Sequence, residues 1–392
     1  MSQEVFILSA RRTAIGAFQG VFAPLSAPQL GAIAAQAALK DSTVNPEFLD
    51  EAIFGCVLSA GLGQAPARQA ALGAGIPQRV PATTINKMCG SGMKALMLGS
   101  DQIRAGSAHL VLAGGLESMT NAPYLLPKAR SGLRMGHAEL IDHMFFDGLQ
   151  NPYDKQLMGY FADATAKKYG FTREQQDAFA AESVRRALAA VESGAFEGEI
   201  AAATVKDRKG ERVVNKDETP FACDISKIPT LKPAFNKDGT VTAASSSSIS
   251  DGAAALILAS ANTVRSHDLK PIARIVGYAS YAQAPEWFTT APVGAIKGVI
   301  EKTGWKLDQV DLFEVNEAFA CVAMAAIHDL RLDPAKVNIN GGACALGHPI
   351  GATGARIVTT LLHSLQRTGG KRGIAALCIG GGEGTALAVE LV

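Results

Sequence analysis

No segment of the 392 residues approaches the run of about twenty apolar side chains that a bilayer crossing needs, so no membrane span is expected. Charge of one sign is also missing. Lys and Arg number 37 against 36 Asp and Glu, a net +1, which gives no global field for nucleic acid or an anionic membrane and leaves only local patches for a phosphate-bearing ligand. The six cysteines (Cys56, Cys89, Cys223, Cys321, Cys344 and Cys378) include no CxxC pair and are too sparse for a disulfide scaffold. The chain opens directly into Val5-Phe6-Ile7-Leu8 without a signal-peptide core, and its last residues carry no peroxisomal tripeptide. A reducing cytoplasm is the expected location. Neither GxGxxG nor Gly-Lys-Ser/Thr occurs, and no His, Cys, Asp and Glu spacing suggests a metal site, so neither metal nor cofactor is expected.

What is present is a chain 48% hydrophobic with 40 glycines, too long for one ordinary core, which suits an α/β fold of two or more packed lobes. The charge is uneven: residues 119–250 hold 17 of the 37 basic and 17 of the 36 acidic residues. That middle third reads as a solvated insertion with its own helices, one of them running from Arg173 to about Ser193 and stopped by Gly194. The flanks echo each other. Glu51–Cys56, the turn at Cys89-Gly90-Ser91-Gly92, a helical stretch to about Ile103 and the run ending at Gly114-Gly115 make one series. Val310–Val315, the turn at Gly347–Gly354, a helical stretch to about Leu365 and Ile374–Gly381 make another. Val111-Leu112-Ala113 and Ile374-Ala375-Ala376-Leu377 do not alternate, as expected of strands covered on both faces. The simplest reading is an internal duplication of α/β units. The expected domains are a first half from 1–118 plus 251–271, an inserted loop domain over 119–250, and a second half over 272–392.

Four residues at glycine-rich strand ends can carry chemistry. Cys89 stands between a strand and a helix, where free N–H groups and the positive helix end favour thiolate. His348 precedes a proline and is thereby held on a turn. Cys378 ends an apolar run before Gly380-Gly381-Gly382, in the place of the second half that would face Cys89 across a pseudo-twofold axis. Asn316 ends another strand, where its amide could hold a water or an oxyanion. Each has a plainer reading: core cysteines for Cys89 and Cys378, a surface histidine for His348, a helix N-cap for Asn316. The other histidines are given no role. Together the four supply a nucleophile, a base, a second acid/base and an amide donor.

Asn86-Lys87-Met88-Cys89-Gly90-Ser91-Gly92 resembles the nucleophile motif of the thiolases. Asn316-Glu317-Ala318-Phe319, Gly347-His348-Pro349 and Cys378-Ile379-Gly380 resemble that family's other active-site motifs, in the same order across about three hundred residues. The resemblance implies a five-layer αβαβα thiolase fold of two similar halves with a loop domain inserted in the first. It implies that Cys89 becomes acylated by an acyl-CoA while His348 takes its proton, and that Cys378 moves the proton of the second acetyl-CoA. It also implies an oxyanion site from His348 with an Asn316-held water, and another from the N–H groups of Cys89 and Gly380. Ser247 matches a serine beside the pantetheine arm, and Leu149, Phe235, Ala243, Ala318 and Phe319 match small or apolar tunnel positions. For each of these the plainer reading is core packing. The partners implied are acetyl-CoA, acetoacetyl-CoA and CoA as substrates, in a homotetramer built as a dimer of dimers.

This chain departs from the family pattern in places. Ser245-Ser246-Ser247 stands where many members have Asn-Ala-Ser. Leu157, next to Met158 at the acyl pocket, stands where many short-chain members have histidine. Phe221 stands where an arginine often approaches the nucleotide, with Lys227 or Lys232 as substitutes, and Trp287-Phe288 replaces a smaller pair near the acyl pocket. Bulk there argues for interconversion of two acetyl-CoA with acetoacetyl-CoA plus CoA, over a broader 3-ketoacyl chain-length range. Decarboxylating ketoacyl synthases share the fold but do not need a second cysteine such as Cys378, and a non-catalytic carrier would tolerate loss of one motif.

Overall fold

The computed structural model describes residues 3–208 and 210–392. Its first half runs β1 (Val5–Thr13), α1 (Ala27–Ser42), β2 (Glu51–Gly55), β3 (Ala82–Ile85), α2 (Ser91–Ala105) and β4 (Leu110–Ser118). The charged segment follows, with α3 (Met158–Tyr169), α4 (Arg173–Glu192) and a ribbon pairing Ala203–Asp207 with Gly210–Val214. The chain then returns to the first half through β5 (Ser250–Ser260). The second half runs β6 (Ala273–Ala282), α5 (Ala291–Thr303), β7 (Leu312–Val315), α6 (Ala320–Leu330), α7 (Ile350–Thr368), β8 (Arg372–Ile379) and β9 (Glu383–Leu391).

The duplication is visible in strand order. The path is β7-β8-β9-β6-β1-β5-β4-β2-β3. Read outward from β1, the first half goes β1-β5-β4-β2, and read outward from β6, the second goes β6-β9-β8-β7. Directions match as well: β2 pairs β4 in parallel as β7 pairs β8, and the remaining pairs of each series are antiparallel. β3 lies parallel beside β2, and its counterpart is reduced to a single parallel bridge between Val337 and Phe313. The halves join through two register pairs, Phe6 with Arg274 and Ile7 with Ala273.

Side-chain alternation along the strands builds the layers. Ala253, Ala255, Ile257 and Ala259 of β5 face α1, while Ala254, Leu256 and Leu258 face the middle layer of α2 and α7. From the other side Ala375 and Leu377 of β8 meet that middle layer, and Ile374 and Ala376 turn to α5 and α6. The result is helix, sheet, helix pair, sheet, helix. Every residue of β4 and of β5 is buried, because both faces are covered, which is why neither strand alternates in sequence.

The middle layer places the chemistry. A Cβ on Gly92 would stand 2.8 Å from the Ala355 backbone nitrogen, so only glycine lets α2 and α7 approach this closely. Their approach brings the turn before each helix, one bearing Cys89 and the other His348, to a common site.

Candidate active site

The nucleophile turn is built by its own motif. Met88 adopts φ +48°, a left-handed conformation uncommon outside glycine, immediately before Cys89. Asn86 Oδ1 accepts from the Met88 N–H at 2.9 Å, and Ser91 Oγ accepts from Lys87 N–H at 2.8 Å while donating to the Met88 carbonyl at 2.6 Å. Lys87 pairs with Glu383 at the start of β9, which ties the turn to the other half. These bonds hold a conformation that would otherwise cost on the order of 1–3 kcal/mol.

Local geometry favours thiolate at Cys89, but burial wins. Desolvation pushes the thiol up to about 11, against the pull of the Gly380 and Cys89 N–H groups and helped by the charge of Glu117. The expected thiolate is therefore a neutral thiol at rest, packed against Val57, Leu58, Met119, Met144 and Ile350. His348, 6% exposed rather than on the surface, is driven the other way. Burial, with the charge of Arg356 adding, pushes its imidazole down to about 3, so it is neutral and free to accept a proton.

Which nitrogen accepts is settled by Thr353. Its hydroxyl donates to the Pro349 carbonyl at 2.9 Å and lies 2.7 Å from His348 Nδ1, so Nδ1 carries the hydrogen and Nε2 keeps a lone pair. Asn316 Nδ2 stands 3.5 Å from that Nε2. Its Oδ1 is buried without a hydrogen-bond partner among the described residues, and its backbone N–H is used by the Ala376 carbonyl of β8. Asn316 is thus no helix N-cap, since α6 starts only at Ala320.

Cys378 is fully buried beside Phe161, Phe288 and Phe319, and burial together with the charges of Cys89 and Cys321 pushes its thiol well up. After it the chain turns through Gly381 and Gly382 at φ +95° and +91°, where a Cβ on Gly382 would stand 2.3 Å from the Gln283 carbonyl oxygen. Behind the site, Glu117 accepts from the N–H groups of Val57, Leu58 and Gly351 at 3.0, 3.1 and 2.8 Å. Burial nevertheless pushes its carboxyl up to about 7. It links the end of β4 to the first turn of α7, two residues past the His348-Pro349 step.

A mainly apolar cavity of about 260 Å³ joins these elements. Of the residues singled out in the sequence, it is lined by Cys89, His348, Cys378, Gly380, Ser247, Leu149, Phe235, Ala318, Phe319, Met158 and Phe288. Ser246 bridges Phe319, and Ser247 bonds the Ala318 carbonyl through both its N–H and its hydroxyl at 3.0 Å, which registers the serine run against the Asn316 motif. Asn316 is not itself on the lining and reaches it through His348 Nε2, and three other positions fall elsewhere. Ala243 is exposed at the outer corner of a turn closed by Ser245 Oγ on the Thr242 N–H at 2.8 Å, and it does not line the cavity. Trp287 stacks under Lys168 Nζ, 4.0 Å from the ring centroid, and leaves Phe288 alone at the wall. Phe221 is 57% exposed.

Residues 5–262 match the model of the thiolase N-terminal domain and 269–391 that of the thiolase C-terminal domain. The chain belongs to the thiolase family. It is similar to an acetyl-CoA acetyltransferase of Pseudomonas aeruginosa, 51% identical over 387 residues and covering 98% of each chain. Among solved structures, the Acat5 thiolase of Ascaris suum in complex with coenzyme A is 44% identical with a TM-score of 0.94, covering all of both chains. The human mitochondrial 3-ketoacyl-CoA thiolase is 40% identical with a TM-score of 0.96, covering 100% of this chain and 99% of that one. As a thiolase the chain keeps its four motifs at one cavity. Thr353 and Glu117 are the residues that motif reading missed. Thr353 sits inside the quoted Gly347–Gly354 turn, whereas nothing around Glu117 in the sequence marks it.

Proposed function

We propose that this thiolase interconverts two acetyl-CoA with acetoacetyl-CoA plus CoA through an acyl group carried on Cys89. In the degradative direction His348 Nε2 takes the Cys89 proton and the sulfur attacks the ketone carbon of acetoacetyl-CoA. The carbon–carbon bond then breaks, and Cys378 gives its proton to the departing acetyl-CoA enolate. CoA thiol next gives its proton to the Cys378 thiolate and attacks the acetyl-Cys89 carbonyl; the Cys89 sulfur leaves, takes back the proton held by His348, and a second acetyl-CoA is released. The N–H groups of Cys89 and Gly380 receive the oxyanion of the tetrahedral intermediate, and His348 with a water held by Asn316 receives the enolate oxygen. CoA thioesters are substrates here, and the reaction as drawn calls on no cofactor or metal. Ser247, Phe235, Phe319, Ala318 and Leu149 would hold the pantetheine arm along the cavity.

The observation that carries the four-carbon reading is the wall at Phe288. This ring is 3% exposed, and Phe161 packs edge-on behind it with centroids 6.4 Å apart. A wall two rings deep cannot swing outward without opening a void in a close-packed core. Leu157 and Met158 add bulk without polarity. Thiolysis of acetoacetyl-CoA should therefore exceed that of 3-ketooctanoyl-CoA by at least about a hundredfold in kcat/KM, the upper end of what a size-selecting apolar pocket achieves. Comparable rates on both substrates would make this a broad-range 3-ketoacyl-CoA thiolase instead.

We also propose a homotetramer, a dimer of dimers. Tyr124–Leu125 pairs with Ile141–Asp142, and between them an arm exposes Leu126, Leu133, Met135 and Leu140, with Met135 97% exposed. Large apolar groups clustered on one exposed arm mark a contact surface. Sedimentation should give four times 40.8 kDa, and half that value would leave a dimer. Among the described residues no helix is long and apolar enough to cross a membrane. Six free cysteines suit a reducing cytoplasm, which fractionation of the source cells would test.

A further inference from the structure

One buried titratable side chain close to the cavity has no part in the reaction drawn above. His143 is 6% exposed, and its Nδ1 stands 2.6 Å from Asp147 Oδ2. On the other edge of the ring, the Ala60 N–H points at Nε2 at 3.4 Å. A backbone N–H can only donate, so Nε2 accepts and the ring hydrogen lies on Nδ1, toward Asp147. The ring thus bridges two separate segments, the loop after β2 and the turn that contains Asp147.

That turn is unusual. Residues Met144–Leu149 form a π-helical turn, a widened geometry that appears mostly as isolated turns and frequently at functional sites. Its start is fixed by Asp142 Oδ1, which accepts from the Met144 N–H at 2.8 Å, and by the His143 N–H on the Pro123 carbonyl at 3.1 Å. The turn forms part of the cavity: Phe145 near its start and Gly148 and Leu149 at its far end all line it. A Cβ on Gly148 would meet Ile350 Cδ1 and Leu58 Cδ2, both at 3.3 Å, so the turn is pressed against the apolar cluster on which Cys89 packs. Beside the turn's own backbone bonds, the Asp142 cap and the Pro123 bond, the His143–Asp147 pair is a side-chain link from the start of the widened turn to its middle, and it also ties the turn to Ala60.

We propose that His143 and Asp147 form a specificity-determining clamp that sets how far the Phe145–Leu149 wall advances into the acyl cavity. The clamp keeps the cavity short, and its release lets the wall retreat and admits longer 3-ketoacyl groups. Both residues are positioning residues, since neither lines the cavity. The inference rests on the reading of this cavity as the acyl pocket.

The test is the ratio of kcat/KM for 3-ketooctanoyl-CoA to that for acetoacetyl-CoA, in wild type, His143→Leu, Asp147→Ala and His143→Gln. His143→Leu and Asp147→Ala should raise the ratio about tenfold, the size of one lost charge-assisted hydrogen bond. His143→Gln can still accept from Ala60 and donate to Asp147, and should stay within about twofold of wild type. Asp147 has a side chain 43% exposed, so its variant can be read even where His143→Leu does not fold. An unchanged ratio in Asp147→Ala, with both substrates slowed alike or only the melting temperature lowered, would overturn the clamp and leave the pair a structural brace. A wild type without preference for the shorter substrate would overturn the four-carbon reading itself, and that outcome is visible before any variant is compared.

Discussion

Cys89→Ala is expected to lower acetoacetyl-CoA thiolysis at least about 10⁴-fold, because the covalent carrier is lost and no neighbouring group can replace it. The cavity contains one other thiol, Cys378, but it is fully buried and its ionisation is pushed well up, so it is a poor substitute nucleophile. Incubation with acetyl-labelled CoA should leave no label on the variant protein, and a trapped acetyl group there would refute the assignment. The same thiol makes a pH prediction. Burial holds Cys89 at about 11 and His348 at about 3, so neither changes protonation across the working range. If His348 takes the proton during attack, acetylation by acetyl-CoA should vary less than about twofold between pH 8 and 10, above the titration of Glu117 at about 7. If attack instead needed thiolate formed beforehand, a group titrating near 11 would make the rate climb about tenfold per pH unit. The imidazole has a further consequence with a definite sign. Its folded pKa lies below its ordinary value of 6.5, so the folded state binds fewer protons than the unfolded chain between about 3 and 6.5. That contribution to stability is full above 6.5 and is lost as the pH falls through this window.

What the sequence made legible was local. The turns after the strand ends at Ile85 and Ile379 are written in short glycine-rich runs, the one after Val315 in Asn316-Glu317-Ala318-Phe319, and the structure places all four motifs around one cavity. The helix expected from Arg173 ends at Glu192, within a residue of the reading, because Thr172 caps its start and Gly194 follows its end. What escaped depends on contacts between distant segments. Cys89 has every local feature of a thiolate, yet its ionisation is decided by burial against Val57, Met144 and Ile350, segments up to about 260 residues away in the chain. Glu117 looks like an ordinary residue near a strand end until Gly351 of the other half donates to it. His143 looks like any surface histidine until the loop at Ala60 closes on it. Ala243 is exposed on the Thr242–Ser245 turn and stands off the lining of the cavity, a placement that its linear match to a tunnel position does not specify.

Cys378→Ser should separate the two half-reactions, because the two thiols act one after the other. Burial keeps both protonated at rest, and an anion on Cys89 would oppose one on Cys378. Once Cys89 carries an acyl group its sulfur can no longer ionise, so the single anion that the second step needs is at Cys378, the base that removes a proton from the acetyl-CoA methyl group. Serine keeps the shape but is a far weaker acid, so it cannot become that base. Acetyl exchange between acetyl-CoA and free CoA needs only Cys89 and His348, and should stay within about tenfold of wild type, whereas acetoacetyl-CoA formation should fall at least about 10³-fold. Isotope exchange and condensation rates measured on one preparation make the comparison independent of folding yield. Equal loss of both would mean that Cys378 supports the acylation step itself, and the division of labour between the two thiols would have to be redrawn around a shared charge.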